Sequence, residues 1–428
     1  MVSRRLLLQV FGAAALAPVV LPGEAQSASA ESEPYAASVL PPNIRSRFVN
    51  NGNGIRMHVL EAGFETRNRP LVVLLHGFPE LAYSWRKVMP ALASAGYHVV
   101  APDLRGYGRT SSTDVKYEDD LGPFRTLNEV RDIVGLVSAF GYRAVAAVVG
   151  HDFGSPVAAW CSVVRPDIFH AVVMMSGPFT GPPAMPFDSA DAKPSSDAAA
   201  ASPEQAYDGL EKLNPPRKYY QRYYSTRGAN MNMWHAPQGV HAFLRAYYHM
   251  KSADWSGNKP LPLKGWSANE LARMPHYYVM ELNRGMAETV ASELPAPADI
   301  AACKWLPDDE LKVYAAEYSR TGFQGGLQSY RVGSSGRYTA DPQNNVELKM
   351  FSGRTIDVPS LFIAGKSDWG VYQRPGAFER MQTTVCTQMR GAHLIEGAGH
   401  WVQQEQPERV SNLILQFLQR ENRRAPRG

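Results

Sequence analysis

Cysteine is scarce: Cys161, Cys303 and Cys386 are the only three in 428 residues. They are widely spaced, odd in number and without metal-ligand spacing, so a disulfide framework is not expected. Charge of either sign is also lacking in excess. With 44 basic against 40 acidic residues the formal charge is +4, too weak to argue for a nucleic-acid partner. No apolar run reaches the ~20 residues that cross a bilayer; the stretch from Val10 to Leu21 contains Pro18 and falls short. There is no internal repeat. His235, His241 and His249 fall close together but not at helical ligand spacing, which argues against a metal site.

What is present begins with a targeting pattern. Ser3-Arg4-Arg5-Leu6-Leu7-Leu8 resembles a twin-arginine signal, followed by the short apolar stretch and small residues at Ala28-Ser29-Ala30. Residues 1–30 are therefore expected to be a signal peptide cleaved after Ala30. The mature protein is then expected outside the cytoplasm, periplasmic or secreted, without stable membrane insertion. The tail from Arg420 to Arg427 reads as a solvated, frayed terminus.

Between these ends, hydrophobic content of 44% is enough for a large core. Ile55 to Ala62 follows an Asn-Gly-Asn-Gly stretch and reads as the second arm of a hairpin. Pro70–Leu75 and Tyr97–Pro102 are unbroken apolar runs, as expected of strands covered on both faces of a parallel sheet. Further strands are expected at 144–150, 171–175, 360–365 and 392–395, with helices at 82–94, 127–140, 157–164 and 407–419. Alternation of strand and helix predicts an α/β fold with a doubly wound, mostly parallel sheet. From 178 to 352 the pattern changes to helices without buried strands. This segment reads as a helical lid inserted between core parts 31–177 and 353–428, with a mobile Pro/Ala/Ser-rich entrance from Gly181 to Pro203.

The chemistry centres on Gly150-His151-Asp152-Phe153-Gly154, an apolar strand run entering a glycine-bracketed turn that opens a helix. This is the pattern of a nucleophile elbow, whose flanking positions must be small for strand and helix to approach. The reactive position holds aspartate instead of serine. A carboxylate is ionised at neutral pH and is a poor acylating nucleophile, but it can attack a saturated carbon. Displacement at an epoxide or a carbon–halogen bond through an alkyl-enzyme ester is the implied reaction.

Several ordered motifs then carry a resemblance. His76-Gly77-Phe78-Pro79, Pro102-Asp103-Leu104-Arg105-Gly106-Tyr107-Gly108, the Asp152 elbow, Gly322-Phe323-Gln324-Gly325-Gly326, and Gly397-Ala398-Gly399-His400-Trp401 are similar to the α/β-hydrolase fold and its epoxide hydrolase branch, over about residues 45–419. The resemblance implies Asp152 as nucleophile, His400 as base and Asp368 as its orienting acid. It implies oxyanion donors in the backbone N–H groups of Phe78 and Phe153, and a Pro79 that fixes its turn, often through a cis bond. Two lid tyrosines would protonate the epoxide oxygen: Tyr330, although the family often has tryptophan where this chain has Ser329, and Tyr220, chosen among four neighbouring tyrosines by its Tyr-Gln pairing. Tyr219, Tyr223 and Tyr224 are expected to pack. His76 reads as a structural turn residue, and His151 as packing or hydrogen bonding within the elbow. The implied partners are a small apolar epoxide and water, with no cofactor. The alternative is a haloalkane dehalogenase, which would need N–H donors for halide where the Phe153 ring offers none; a catalytically silent ligand-binding homologue is a third reading.

Overall fold

A computed structural model describes residues 33–185, 203–333 and 340–424. The proposed signal peptide and most of the lid entrance lie outside the described residues. The central sheet has eight strands: β1 (Ile44–Asn50), β2 (Arg56–Ala62), β3 (Leu71–Leu75), β4 (His98–Pro102), β5 (Ala147–His151), β6 (Val172–Met175), β9 (Ser360–Gly365) and β10 (Met389–Ile395). Their order is β1-β2-β4-β3-β5-β6-β9-β10. β1 pairs antiparallel with β2, and β2 with β4; every later pairing is parallel. The continuous apolar runs behave as two-sided burial requires, since every residue of β3, β4, β5, β6 and β9 is buried.

Strand order reverses between β3 and β5, because the chain steps from β3 to β4 on one side and returns to β5 on the other. In open α/β sheets such a reversal opens a crevice beyond the carboxyl ends of the strands. The Phe78 loop follows β3 and Asp152 follows β5, so both sit at that crevice.

The turn after β5 is tight. Asp152 has φ of 51°, a left-handed conformation costly for a residue with a side chain. A Cβ on Gly150 would lie 1.9 Å from the Gly154 carbonyl oxygen, and one on Gly154 only 2.4 Å from the Leu75 oxygen. A second close approach joins insert to core: a Cβ on Gly325 would meet the Gly106 oxygen at 2.0 Å. The Gln324–Gly333 helix thus rests its glycines directly on the loop after β4.

The segment between β6 and β9 is mainly helical, but not wholly so. β7 (Arg217–Tyr219) and β8 (Val279–Glu281) form a short antiparallel pair with Tyr219, Val279 and Met280 buried, correcting the expectation of helices without buried strands. Three-residue strands are too short to show alternation in sequence. The helix expected at 82–94 is broken into a 3₁₀ turn at Ala82–Trp85 and a helix at Met89–Ser94, the latter opening with proline in its first turn. The final helix continues from Pro407 to Arg424 and is not frayed before that point; Arg390 pairs with Glu421 at 2.9 Å and ties it to β10.

Gly150→Ala is expected to destabilise the fold by about 1–3 kcal/mol, the usual cost of forcing extra volume into a packed site. Chemical denaturation followed by circular dichroism measures it, and an unchanged midpoint would show that the turn tolerates a methyl group.

Candidate active site

Five loops at the carboxyl ends of the strands, those after β3, β5, β6, β9 and β10, meet around Asp152. The Phe78 N–H donates to Asp152 Oδ1 at 2.9 Å, and His400 Nε2 lies 3.3 Å from Oδ2. On its other face, His400 Nδ1 is 3.2 Å from Asp368 Oδ1 and 3.0 Å from Ser176 Oγ. The Gly370 N–H donates to the same Asp368 oxygen at 2.7 Å and fixes the carboxylate. Asp152, Asp368 and His400, far apart in sequence, therefore form one contiguous chain of contacts. His400 and Asp368 are buried, while the Asp152 side chain keeps 17% exposure toward the cavity.

The His400 loop is held from both sides. Glu405 accepts the N–H groups of Gly399 and Trp401, each at 2.9 Å, and the His400 N–H donates to the Lys251 carbonyl at 2.8 Å. Lys251 ends the Gly239–Lys251 helix of the insert, and its buried ammonium sits 5.3 Å from the Tyr247 and Tyr278 ring centres and 5.4 Å from that of Trp401. Nothing in the motifs pointed to Lys251.

Burial by itself would raise the Asp152 carboxyl. The imidazole of His400 outweighs burial, aided by the charges of Lys251 and His151, and holds it well below the usual carboxylate range. Asp368 is likewise lowered against its burial, chiefly by His400. Both acids stay ionised.

Of the two expected oxyanion donors, the structure aims one at the carboxylate. Phe78, in a turn with a cis Phe78–Pro79 bond, donates to Asp152; among the described residues Phe153 makes no such bond, and its amide sits at the start of the Gly154–Val164 helix. His76 is structural as read: Nε2 accepts the Leu104 N–H at 3.0 Å and Nδ1 bonds the Gly77 carbonyl at 2.9 Å, while burial depresses its basicity.

His151 departs from the expected role within the elbow. Its Nδ1 is 2.6 Å from Glu80 Oε2 and its Nε2 is 2.7 Å from the His400 carbonyl, so it bridges the loop after β3 to the His400 loop. Glu80 also accepts from Gln403 and Gln404. Sequence reading missed Glu80, although it directly follows the His-Gly-Phe-Pro turn.

The tyrosines converge above the carboxylate. The Tyr220 and Tyr330 rings are 6.0 Å apart, and Tyr330 packs edge-on against Phe153 at 4.5 Å and Phe78 at 5.3 Å. Tyr220 Oη donates to Gln373 at 3.3 Å and accepts from Gln221 at 3.1 Å. Burial first, then neighbouring tyrosines and the Asp152 charge, push both phenols well above their ordinary value and keep them protonated. Tyr219 stacks on Tyr207 at 4.8 Å, while Tyr223 and Tyr224 pack into the lid core, as expected. A cavity of about 500 Å³ opens on Asp152, Phe153 and Tyr220.

Comparison with known proteins agrees with this geometry. A family model described as the alpha/beta hydrolase fold matches residues 70–224. The chain is 32% identical over 371 residues to epoxide hydrolase B of Mycobacterium tuberculosis, covering 86% of this chain and 96% of that one. It is 33% identical over 367 residues to epoxide hydrolase A of the same organism, covering 86% and 95%. A solved epoxide hydrolase from an endophytic Streptomyces superposes with a TM-score of 0.68 at 29% identity, covering 89% of this chain and 96% of that one.

The Glu80–His151 pair makes a test of the site's electrostatics. Burial opposes both ionisations, yet each partner's charge overcomes it, lowering Glu80 from 4.5 and raising His151 from 6.5. Glu80 then contributes stability above pH 4.5, lost as pH falls through its folded value; His151 contributes below pH 6.5, lost as pH rises through its folded value. The stability difference between wild type and Glu80→Gln is expected to be largest between those limits, about 1–3 kcal/mol, and to shrink on the alkaline side. Urea titrations across pH check this, and a difference flat with pH would show that the pair is not ionised. With motifs, triad geometry and relatives in agreement, the chain belongs to the epoxide hydrolase family of the α/β-hydrolase fold.

Proposed function

We infer that the protein converts an epoxide to a vicinal diol in two covalent steps on Asp152. The observation that carries this reading is the Asp152 carboxylate held ionised between the Phe78 N–H and His400, beneath two buried, protonated phenols. Oδ2 attacks an oxirane carbon, the C–O bond of the ring breaks, and Tyr330 with Tyr220 protonates the departing oxygen, which is far too basic to leave as an alkoxide. Oδ1, already hydrogen-bonded to Phe78, becomes the ester carbonyl oxygen.

In the second step His400, oriented through Nδ1 by Asp368, takes a proton from water that attacks the ester carbon. The oxyanion forms on Asp152 itself, and the Phe78 amide already faces it. Collapse breaks the bond between the Asp152 carboxyl carbon and the substrate oxygen, which takes the proton held by His400, and the acid proton left on Asp152 passes to the phenolate, so release of the diol restores carboxylate, imidazole and phenol. The aromatic surroundings favour a small apolar epoxide, and the twin-arginine-like start supports export, for which amino-terminal sequencing of exported protein is the check. A dehalogenase reading loses ground because Phe153 offers no ring N–H for halide, whereas the paired phenols answer the needs of an alkoxide.

With His400→Gln, alkylation is expected to proceed while ester hydrolysis stalls, so mass spectrometry finds one substrate mass on the Asp152 peptide. An unmodified peptide from a folded, inactive variant would remove the covalent role from Asp152.

Tyr330→Phe is expected to slow alkylation by roughly 10- to 10⁴-fold, with the lower end applying if Tyr220 compensates; Tyr220→Phe combined with Tyr330→Phe should be far slower than either alone. Single-turnover rates on an epoxide read this directly, and unchanged alkylation in the folded double variant would refute proton donation by the phenols.

A further inference from the structure

The cavity that opens on Asp152 carries a second carboxyl group that the reaction does not use. Glu129 lies in the first turn of the Thr126–Ala139 helix and lines the cavity together with Thr126, Phe153 and Ser329. It is partly exposed. Ser329 Oγ lies 3.3 Å from Glu129 Oε1. That is the hydrogen bond of its carboxyl group among the described residues, and it engages Oε1, not Oε2.

We propose that Glu129 and Ser329 form a polar subsite that selects epoxides carrying a neutral oxygen acceptor, an ether, ester or carbonyl, on the chain beyond the oxirane. This deepens the epoxide-hydrolase reading and rests on it. The hydroxyl of Ser329 donates to Oε1, which leaves the acid proton of the carboxyl on Oε2 to donate to the substrate. A substrate carboxylate is disfavoured on this wall, because Asp152 shares the cavity and a second anion would face it.

The charge state supports the geometry. Burial first, and the Asp132 carboxylate second, push Glu129 up to about 8, against smaller lowering by Ser329 and Arg105. Asp132 itself is paired with Arg105 at 2.7 Å, so that cation is committed elsewhere. The other ionisable groups around Glu129 are Tyr107 on the loop after β4 and Cys161 on the Gly154–Val164 helix, both raised by burial and neutral. Asp341, also on the cavity lining, is paired with Arg125 at 2.6 Å, and Arg374 lies on the lining as well. As pH rises through about 8 the neutral donor gives way to a second anion.

The test compares two substrates matched in shape, phenyl glycidyl ether and 1,2-epoxy-4-phenylbutane, in which a methylene replaces the ether oxygen. The purified protein is expected to favour the ether in kcat/KM by roughly 3- to 10-fold at pH 7, the span of one neutral hydrogen bond. The ratio should fall toward unity as pH rises through 8. Glu129→Leu should abolish the preference at every pH, whereas Glu129→Gln, whose amide still donates, should keep it and remove its pH dependence. Turnover of both substrates with a ratio indifferent to pH and to both variants would overturn the subsite alone. Turnover of neither by the wild type would overturn the epoxide-hydrolase reading and the subsite with it.

Discussion

The Asp152 carboxylate is an anion placed where water is largely excluded, and burial opposes its charge. Its ionisation survives because the elbow turns its side chain toward a convergence of partners: the Phe78 amide, the His400 imidazole and, farther off, Lys251 and His151. The same turn demands a left-handed backbone at a residue with a side chain, a strain of about 1–3 kcal/mol that surrounding packing must offset. Gly150 and Gly154 allow that offset by bringing helix and strand backbones into contact. Carboxylate, strain and electrostatics are thus one arrangement.

The insert takes part in this arrangement as well as covering it. The carbonyl of Lys251 accepts the His400 N–H, so a lid helix sets the height of the proposed base. Tyr248 Oη donates to the Pro79 carbonyl at 2.9 Å and Tyr318 Oη to the Glu80 carbonyl at 3.1 Å, both onto the loop that supplies the Phe78 amide. Tyr314 and Arg86 meet over Gln404, which also reaches Glu80. A buried polar seam of this kind is costly if any member is left unpaired, so it fixes the lid in one register relative to the core.

Most of the framework was legible because its signals are local. Continuous apolar runs marked the buried strands, paired glycines marked the elbow, and the order of Asp152, Asp368 and His400 followed strand ends. The Tyr-Gln pairing also picked out Tyr220, which lines the cavity beside Asp152. What could not be read depends on distant residues meeting. Lys251 looks like any helix-terminal lysine until four aromatic rings surround it. Glu129 and Ser329 are separated by 200 positions, and no periodicity links them. His151 was read as internal to the elbow because its partner Glu80 lies on another strand end. The break in the 82–94 helix and the short β7–β8 pair are decided by a proline and by tertiary packing, below the scale of a hydrophobic pattern.

The charges around Asp152 also bear on how a covalent cycle could turn over. If Asp152 becomes an ester its negative charge disappears, but the Lys251 ammonium and the His151–Glu80 pair stay fixed in place by burial and packing. The cavity then gains net positive potential at the moment a new oxyanion must form on the same residue. An electrostatic frame built to hold the resting carboxylate would therefore favour the attack by water that restores it, since preorganised dipoles and charges need not reorganise between the two steps. Glu129 would work against this frame if ionised, because it would place a second anion in the same cavity. Its burial pushes the carboxyl up to about 8 and so disfavours that second anion at neutral pH.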